Sequence, residues 1–281
     1  MDYSWLVFAI ISLTSAGFSG VVHRYILREH DWLSYIFVHG VLTTLFFIPL
    51  VLFNFSLPTS SFSFFIIFIG IGLWTLIAIT TAKSFQLVEA SERSPIKQTQ
   101  IIFLLILSYF FLSEVLTFNK VMGSLLIFGG VVLISYKKGA KFNFDKGFQM
   151  TILTAFFTAI VSLVDKTALN YWNPSTYSFF MYLFPAIVFS WTLMKRKDKL
   201  ITLLKARPFI LIIAAFLEFA YFYSKIMAYS LADVSTVFPI LRLSILVTVA
   251  GGIVLLKERR NILQKAFSAI IMLIGAIIVA G

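Results

Sequence analysis

Glu218 is the residue of this sequence best placed to do chemistry, because it is the only charged residue between Pro208 and Ser224. In a helix, Glu218, Tyr221 and Lys225 would lie on one face. A carboxylate in apolar surroundings can take up a proton or bind the cationic group of a ligand, and a nearby phenol can donate a hydrogen bond to it. The stretch predicts a binding surface in which Glu218 is also the candidate proton carrier.

Two related segments supply a second set of polar residues. Pro239 and Arg242 share one helical face in the later segment, and Pro95 and Gln98 share the corresponding face in the earlier one, with Lys97 beside them. Proline removes a backbone donor and bends or breaks a helix, which leaves carbonyl groups that need polar surroundings. We predict helix bends at Pro95 and Pro239, beside a cavity that the polar residues line.

The predicted substrate-binding residues are Glu218, Arg242, Tyr221, Trp74, Gln98, Lys97 and His39. Each of them has a structural alternative. Glu218 could form an ion pair with Arg242 or Lys225 inside a helix bundle, and the long basic side chains could extend to a membrane surface. His39 and the aromatic residues could serve only in packing.

An enzyme is the alternative from another class of function. The stretch Gly17-Phe18-Ser19-Gly20 superficially resembles the serine motif of rhomboid proteases, but these enzymes supply their histidine base from a later helix, and all three histidines here precede residue 40. Small residues more simply allow close helix contact. There is no cysteine, phosphate loop or His-Glu-x-x-His motif. The sequence predicts no catalytic residue, no cofactor and no metal site.

Composition places these residues in a membrane. Hydrophobic residues make up 60% of the 281 residues and charged residues 12%, against about 45–50% and about 25% in soluble proteins. The net charge of +11 comes from basic residues interleaved with apolar segments, which leaves no basic face for nucleic acid. We predict an all-α, multi-pass protein of the cell membrane whose partners are the lipid bilayer and a small molecule.

Ten apolar segments between polar breaks predict ten transmembrane helices, since a spanning helix needs about 20 residues. The first five lie near Ser4–Val22, Leu33–Phe53, Phe62–Ala82, Ala90–Leu112 and Lys120–Tyr136. The second five lie near Phe148–Val164, Thr176–Met194, Pro208–Ala228, Ala232–Leu256 and Leu263–Ala280.

The sequence uses one unit twice. At an offset of 144 residues (231 − 87), the segment Leu87–Glu114 aligns with Leu231–Glu258. The matched positions include Ser91 with Ser235, Pro95 with Pro239 and Glu114 with Glu258. A basic linker over 140–147 separates the repeats 1–139 and 148–281. Because each half has an odd number of spans, we predict an inverted five-plus-five repeat. Glu218 aligns with Trp74, so the predicted site is less symmetric than the scaffold.

This pattern resembles the ten-helix EamA-type members of the drug/metabolite transporter superfamily. The resemblance rests on Ala90-Ser91 to Pro95, Glu114, Gly123 and Gly129-Gly130 in the first copy, and on Ser235 to Pro239, Glu258 and Gly275 in the second. Family members often have an arginine in the second span, where this chain has His39. The resemblance implies a transporter with its substrate site near the bilayer midplane.

The sequence therefore predicts a secondary active transporter that works by alternating access. Opposite charges at Glu218 and Arg242, beside aromatic residues, favour an amino-acid-like zwitterion as substrate. The alternatives are an exchanger of organic anions or phosphorylated metabolites, clamped by Lys97 and Arg242, and a membrane-embedded enzyme or lipid-handling protein.

The distribution of basic residues predicts the orientation. Of 23 lysine and arginine residues, 18 lie in loops after odd-numbered spans, Lys97 and Arg242 lie inside spans, and only Lys120, Lys166 and Lys225 remain for the opposite side. Because basic loops stay in the cytoplasm, we predict that both termini lie outside it, opposite to many ten-helix relatives.

A reporter fused after Gly281 tests this orientation. We expect a reporter that is active only in the cytoplasm to be inactive there, because the charge distribution places this end on the other side. Cytoplasmic activity of the fusion would contradict the prediction.

Overall fold

The computed structural model describes residues 3–27, 30–87, 96–135, 146–193, 196–255 and 262–281. Within these ranges the chain folds into helices without strands. The helices are α1 (Ser4–Leu27), α2 (Trp32–Asn54), α3 (Ser61–Leu87), α4 (Gln100–Leu112), α5 (Phe118–Ser135), α6 (Lys146–Ala168), α7 (Pro174–Leu193), α8 (Lys197–Ala206), α9 (Pro208–Leu231), α10 (Val234–Leu241), α11 (Ser244–Leu255) and α12 (Ile262–Ala280).

Each of the ten predicted spans overlaps these helices, with the ninth divided into α10 and α11. Among the described residues, seven segments are long and apolar enough to cross a membrane, α4 and most of α5 are shorter apolar helices, and α7 is in neither group. Large apolar side chains such as Phe53, Phe110 and Phe209 point outward from the bundle. Apolar residues on the outside suit acyl chains as the solvent. The fold is a polytopic membrane bundle.

Helix α8 differs from the prediction, which treated its residues as a basic loop. Lys197, Asp198 and Lys199 make the segment look like a loop, but its pattern is amphipathic. Leu203 is fully buried in an apolar cluster, and Leu200 packs against that cluster. Arg196, just before α8, pairs with Asp31 at 2.7 Å. The loops after the first and seventh spans therefore lie at one end of the bundle, as the charge distribution requires.

Helix pairing follows the inverted repeat. Helix α1 packs on α9 and α11, and the corresponding helix of the second half, α6, packs on α3 and α4. Helix α2 packs on its counterpart α7, and α5 on its counterpart α12. Replacing each helix by its counterpart in the other half gives the same set of helix pairs. Helix α6 begins at Lys146, so the end of the predicted linker is helical, and residues 140–145 lie outside the described ranges.

Both halves break a helix at the same position of the repeat. Arg242 and Leu243 form a turn between α10 and α11, in which Arg242 N–H donates to the Pro239 carbonyl at 3.1 Å. Gln98 and Thr99 form the corresponding turn before α4. Pro239 lies inside α10, three residues before the turn. Pro95, the other predicted bend, lies outside the described residues.

Glu114 joins the two halves through a helix terminus. Helix α4 ends at Leu112, and the next residue, Ser113, has a left-handed backbone with φ of 54°. The buried Glu114 carboxylate then accepts the N–H groups of Val234 at 2.8 Å and Ser235 at 2.9 Å. A carboxylate at a helix N-terminus satisfies free donors and the positive end of the dipole. Glu114 thus fixes the start of α10 against the end of α4.

Helices α5 and α12 meet through glycine. A Cβ on Gly123 would lie 2.5 Å from the Gly275 carbonyl oxygen, and a Cβ on Gly275 would lie 2.6 Å from that of Gly123. Gly130 has a similar close neighbour in Met272, whereas Gly129 faces open space. Close helix packing, predicted for the Gly129-Gly130 pair, therefore applies to Gly130 only.

Alanine substitutions in α5 form a matched pair that tests this contact. We expect Gly123→Ala to lower the thermal stability of the purified protein, since overpacking costs about 1–3 kcal/mol. Gly129→Ala should be neutral or slightly stabilising, because alanine exceeds glycine by about 1 kcal/mol in helix propensity. Equal unfolding midpoints for both variants in detergent would contradict the proposed contact.

Candidate functional site

Glu218 lies in the middle of α9, where this helix meets α1 and α7. The Tyr182 hydroxyl donates to Glu218 Oε1 at 2.7 Å, and the Ser19 hydroxyl approaches Oε2 at 3.4 Å. The side chain is only partly buried. Among the described residues, no lysine or arginine forms an ion pair with it. The carboxylate therefore has hydrogen-bond partners but no fixed counter-charge, and its role as a proton carrier stays a prediction.

Two histidines lie beside this carboxylate. His23 Nε2 is 3.2 Å from Ser19 Oγ and 3.4 Å from Nε2 of His39. The ring of Tyr35 packs against both imidazoles, with centroids 5.4 Å and 5.3 Å away. His39 thus lies in the same cluster as Glu218. The ligand atoms of His23, His39 and Glu218 lie within 4.8 Å of one another, which is the spacing of residues that can share a metal ion.

A buried ion pair forms the next polar group along α9. Lys225 Nζ lies 2.8 Å from Asp165 Oδ2, and the Tyr177 hydroxyl donates to Asp165 Oδ1 at 2.7 Å. All three side chains are buried. Lys225 is therefore buried inside the bundle, although the charge count assigned it to the less basic side. An ion pair between Glu218 and Lys225 was one structural alternative, but Lys225 pairs with Asp165 instead.

Aromatic rings connect the two polar groups. Trp74 lies near Lys225, whose Nζ is 5.4 Å from the tryptophan ring and 4.2 Å from the ring of Phe222. Phe222 also packs edge to face on Tyr182, with centroids 5.1 Å apart. The indole N–H of Trp74 is buried and has no acceptor among the described residues. An apolar wall with one free donor thus runs from Glu218 to Trp74.

Tyr221 lies on the same side of α9 as these groups. Its ring centroid is 6.0 Å from Lys225 Nζ. Its backbone carbonyl accepts the Ser12 hydroxyl at 3.0 Å. Tyr221 therefore stands between the Glu218 cluster and the ion pair.

Arg242 occupies the turn between α10 and α11. Its guanidinium lies 4.3 Å from the ring centroid of Phe238, and its Nε is buried without an acceptor among the described residues. Within the same part of the chain no carboxylate forms an ion pair with it. Arg242 is thus a cation without a fixed anion among the described residues.

Gln98 and Lys97 belong to the corresponding break in the first half. Gln98 Oε1 accepts a hydrogen bond from Gln100 at 3.3 Å. Both Gln98 and Lys97 are partly buried, and Gln100 is fully buried. Among the described residues, no contact joins Gln98 or Arg242 to Glu218, so the structure groups Glu218, His39, Trp74 and Tyr221 and brings neither helix break into direct contact with that group.

Sequence reasoning missed Ser19, His23, Tyr182 and Asp165 as members of these clusters. A signal for two of them was present in the first span. Ser12, Ser15, Ser19 and His23 recur at helical spacing, which puts one polar stripe on one face of α1. In the structure the three serines are buried. Tyr182 and Asp165 had no comparable signal, because their partners are 36 and 60 residues away.

Comparisons with known proteins agree with this architecture. One solved protein structure, titled only "Crystal structure of protein", superposes with a TM-score of 0.80 over 99% of this chain and 96% of the other. Its sequence is 12% identical, so the likeness shows the fold alone. No curated protein matches the sequence.

The profile of the EamA-like transporter family matches the sequence twice, over residues 3–136 and 145–281. The two matches coincide with the two halves of the bundle and together cover nearly the whole chain. The family consists of membrane transporters of small molecules, which agrees with a polytopic bundle that has polar groups inside. The chain belongs to the EamA-like transporter family.

Proposed function

We propose that this protein is a secondary transporter of an amino-acid-like zwitterion with an apolar side chain. The observation that carries the proposal is a pair of opposite charges, Glu218 and Arg242, that lack ionic partners among the described residues. A charge inside a membrane bundle is costly unless it is paired. A substrate with an ammonium and a carboxylate supplies both missing partners.

The acid end of the site suits an ammonium group. Among the residues that the structure describes, Glu218 Oε2 has only the long contact to Ser19, while Oε1 is fixed by Tyr182. An ammonium group has three donors, so it can bind this carboxylate and a phenol or imidazole beside it. Tyr182 then acts as a positioning residue that keeps the carboxylate in place.

The basic end suits a carboxylate. Arg242 Nε and Trp74 Nε1 are buried N–H donors without acceptors in the part of the chain that the structure describes. Leaving such donors unpaired costs about 1–3 kcal/mol each. A bound carboxylate at Arg242 would remove that cost there, and charge-assisted hydrogen bonds are the stronger kind.

The aromatic wall suits an apolar side chain. Phe47 stacks on Tyr182 with centroids 5.7 Å apart, and Phe222 packs on both Tyr182 and Trp74. These rings come from α2, α3, α7 and α9, that is, from both repeats. Alternating access by movement of one repeat against the other would therefore change the site from one side of the membrane to the other.

A matched set of three ligands tests the charge requirement. Thermal stabilisation of the purified protein in buffer with a metal chelator is measured with L-phenylalanine, its amide and its N-acetyl derivative. We expect phenylalanine to bind best, because the amide lacks the carboxylate and the N-acetyl compound lacks the ammonium. Equal binding of all three would contradict the zwitterion, and a preference for the N-acetyl compound would favour the anion exchanger.

Two substitutions assign the two ends. We expect Glu218→Gln to weaken phenylalanine binding but not that of the N-acetyl derivative, and Arg242→Gln to weaken phenylalanine binding but not that of the amide. Truncating one partner of a buried charge pair costs about 2–5 kcal/mol, which is roughly thirtyfold to several thousandfold in affinity. Asp198→Asn, on the exposed face of α8, is the control and should change neither.

A transport measurement separates this proposal from an enzyme. Protein in liposomes should exchange internal for external radiolabelled phenylalanine and release it chemically unchanged. Turnover of the compound into a product in detergent, where no gradient exists, would overturn the proposal.

A further inference from the structure

The geometry points to a binding site for a divalent transition-metal ion, of the Zn²⁺ or Co²⁺ type, between His23, His39 and Glu218. These residues offer two imidazole nitrogens and one carboxylate oxygen within 4.8 Å of one another. Two histidines and a carboxylate are a recurrent ligand set for such ions, whereas Mg²⁺ and Ca²⁺ prefer oxygen ligands alone. The inference shares Glu218 with the proposed substrate site but does not depend on what is transported.

The separation of the two histidine nitrogens suits coordination of one ion, and the Glu218 side chain would complete the set by a small movement. The two Nε2 atoms are 3.4 Å apart, longer than the 2.7–3.2 Å of ordinary N–H hydrogen bonds. Two ligands of a tetrahedral ion, each at about 2.1 Å, lie about 3.4 Å apart. Elsewhere in the cluster, Tyr182 and Glu218 form a normal bond of 2.7 Å. The histidine nitrogens thus have the separation of two ligands of one ion.

The surrounding groups also suit an ion. Tyr182 holds Glu218 Oε1, which leaves Oε2 on the side of Ser19. Ser19 Oγ is 3.2 Å from His23 Nε2. A bound ion would replace this hydrogen bond, and the hydroxyl would then be free to bond to a water in the fourth position of the ion. Hydrogen bonds that orient the ligands raise metal affinity. The carboxylate, which lacks a lysine or arginine partner among the described residues, gains a cation.

The ligands come from both repeats. His23 and His39 belong to α1 and α2 of the first half, whereas Glu218 belongs to α9 of the second half. An ion bound to all three would tie the halves together at this point. If the chain works by alternating access, as proposed above, such an ion would hold it in one conformation and inhibit transport.

Direct metal binding tests the site. The full chain, purified with an affinity tag free of histidine, is titrated with Co²⁺ and followed by the visible absorption of the bound ion and by calorimetry. We expect one saturable site, and competition by Zn²⁺. Co²⁺ binding with more than one stoichiometric class, or absorption of the hexa-aquo ion only, would overturn the inference.

Four variants locate the ion. His23→Gln, His39→Gln and Glu218→Gln each remove one ligand and should lower Co²⁺ affinity at least about tenfold. His30→Gln is the control, because His30 is the third histidine and lies in a surface cleft with Asp31 and Asp198. Loss of binding in His30→Gln, with binding retained in His23→Gln, would overturn the assignment and place the ion in that cleft.

Tyr182→Phe keeps the inference falsifiable if a ligand variant fails to fold. It leaves all three ligands in place and removes only the bond to Oε1, so it should lower Co²⁺ affinity by about tenfold or more. An unchanged affinity in a well-folded Tyr182→Phe protein counts against the site. Because phenylalanine binding is measured with chelator present and Co²⁺ binding without phenylalanine, failure of one proposal is distinguishable from failure of the other.

Discussion

A charge inside a lipid-embedded bundle has to find its partner within the protein, because acyl chains offer neither counter-charge nor hydrogen bond. Several ionic groups of the described residues meet this requirement within the fold. Asp165 is paired with Lys225 and bonded by Tyr177, and the Glu114 carboxylate is bonded by two backbone N–H groups at the start of α10. These contacts are buried, and all but that of Tyr177 join parts of the chain that are far apart in the sequence. They are the polar scaffold of the bundle.

Glu218 and Arg242 depart from that rule in the same way. Both are partly accessible, and neither has an ionic partner among the described residues. A fully satisfied network fixes one structure, whereas an open charge leaves room for a ligand that completes it. The contrast between the buried pair and these two residues is therefore a physical reason to place ligand binding at Glu218 and Arg242, and structural support at Asp165 and Lys225.

The sequence predicts the helical, duplicated architecture because that architecture depends on patterns within each segment. Long apolar runs, an odd span number and matched prolines are all visible in one chain. The sequence did not predict helix α8, because charged residues dominate its ten residues. Its apolar side packs in one cluster with Leu211 and Ile26. The sequence predicts less well which residues contact one another inside the bundle. Tyr182 meets Glu218, and Asp165 meets Lys225, only through tertiary packing. A single sequence holds no information on such pairs.

The internal symmetry of the sequence is what singles out the candidate site residues. The two halves pack with exchanged partners and break their helices at Gln98 and Arg242, which are equivalent in the repeat. Where the two repeats carry different residues at equivalent positions, the shared helical scaffold does not determine the residue. At one such place Trp74 stands opposite Glu218, and at another Gln98 stands opposite Arg242. Both charges therefore belong to the second half, while the two histidines beside Glu218 and the indole of Trp74 come from the first. A ligand bound as proposed would contact both repeats at once, so a movement between the repeats would either carry it or release it.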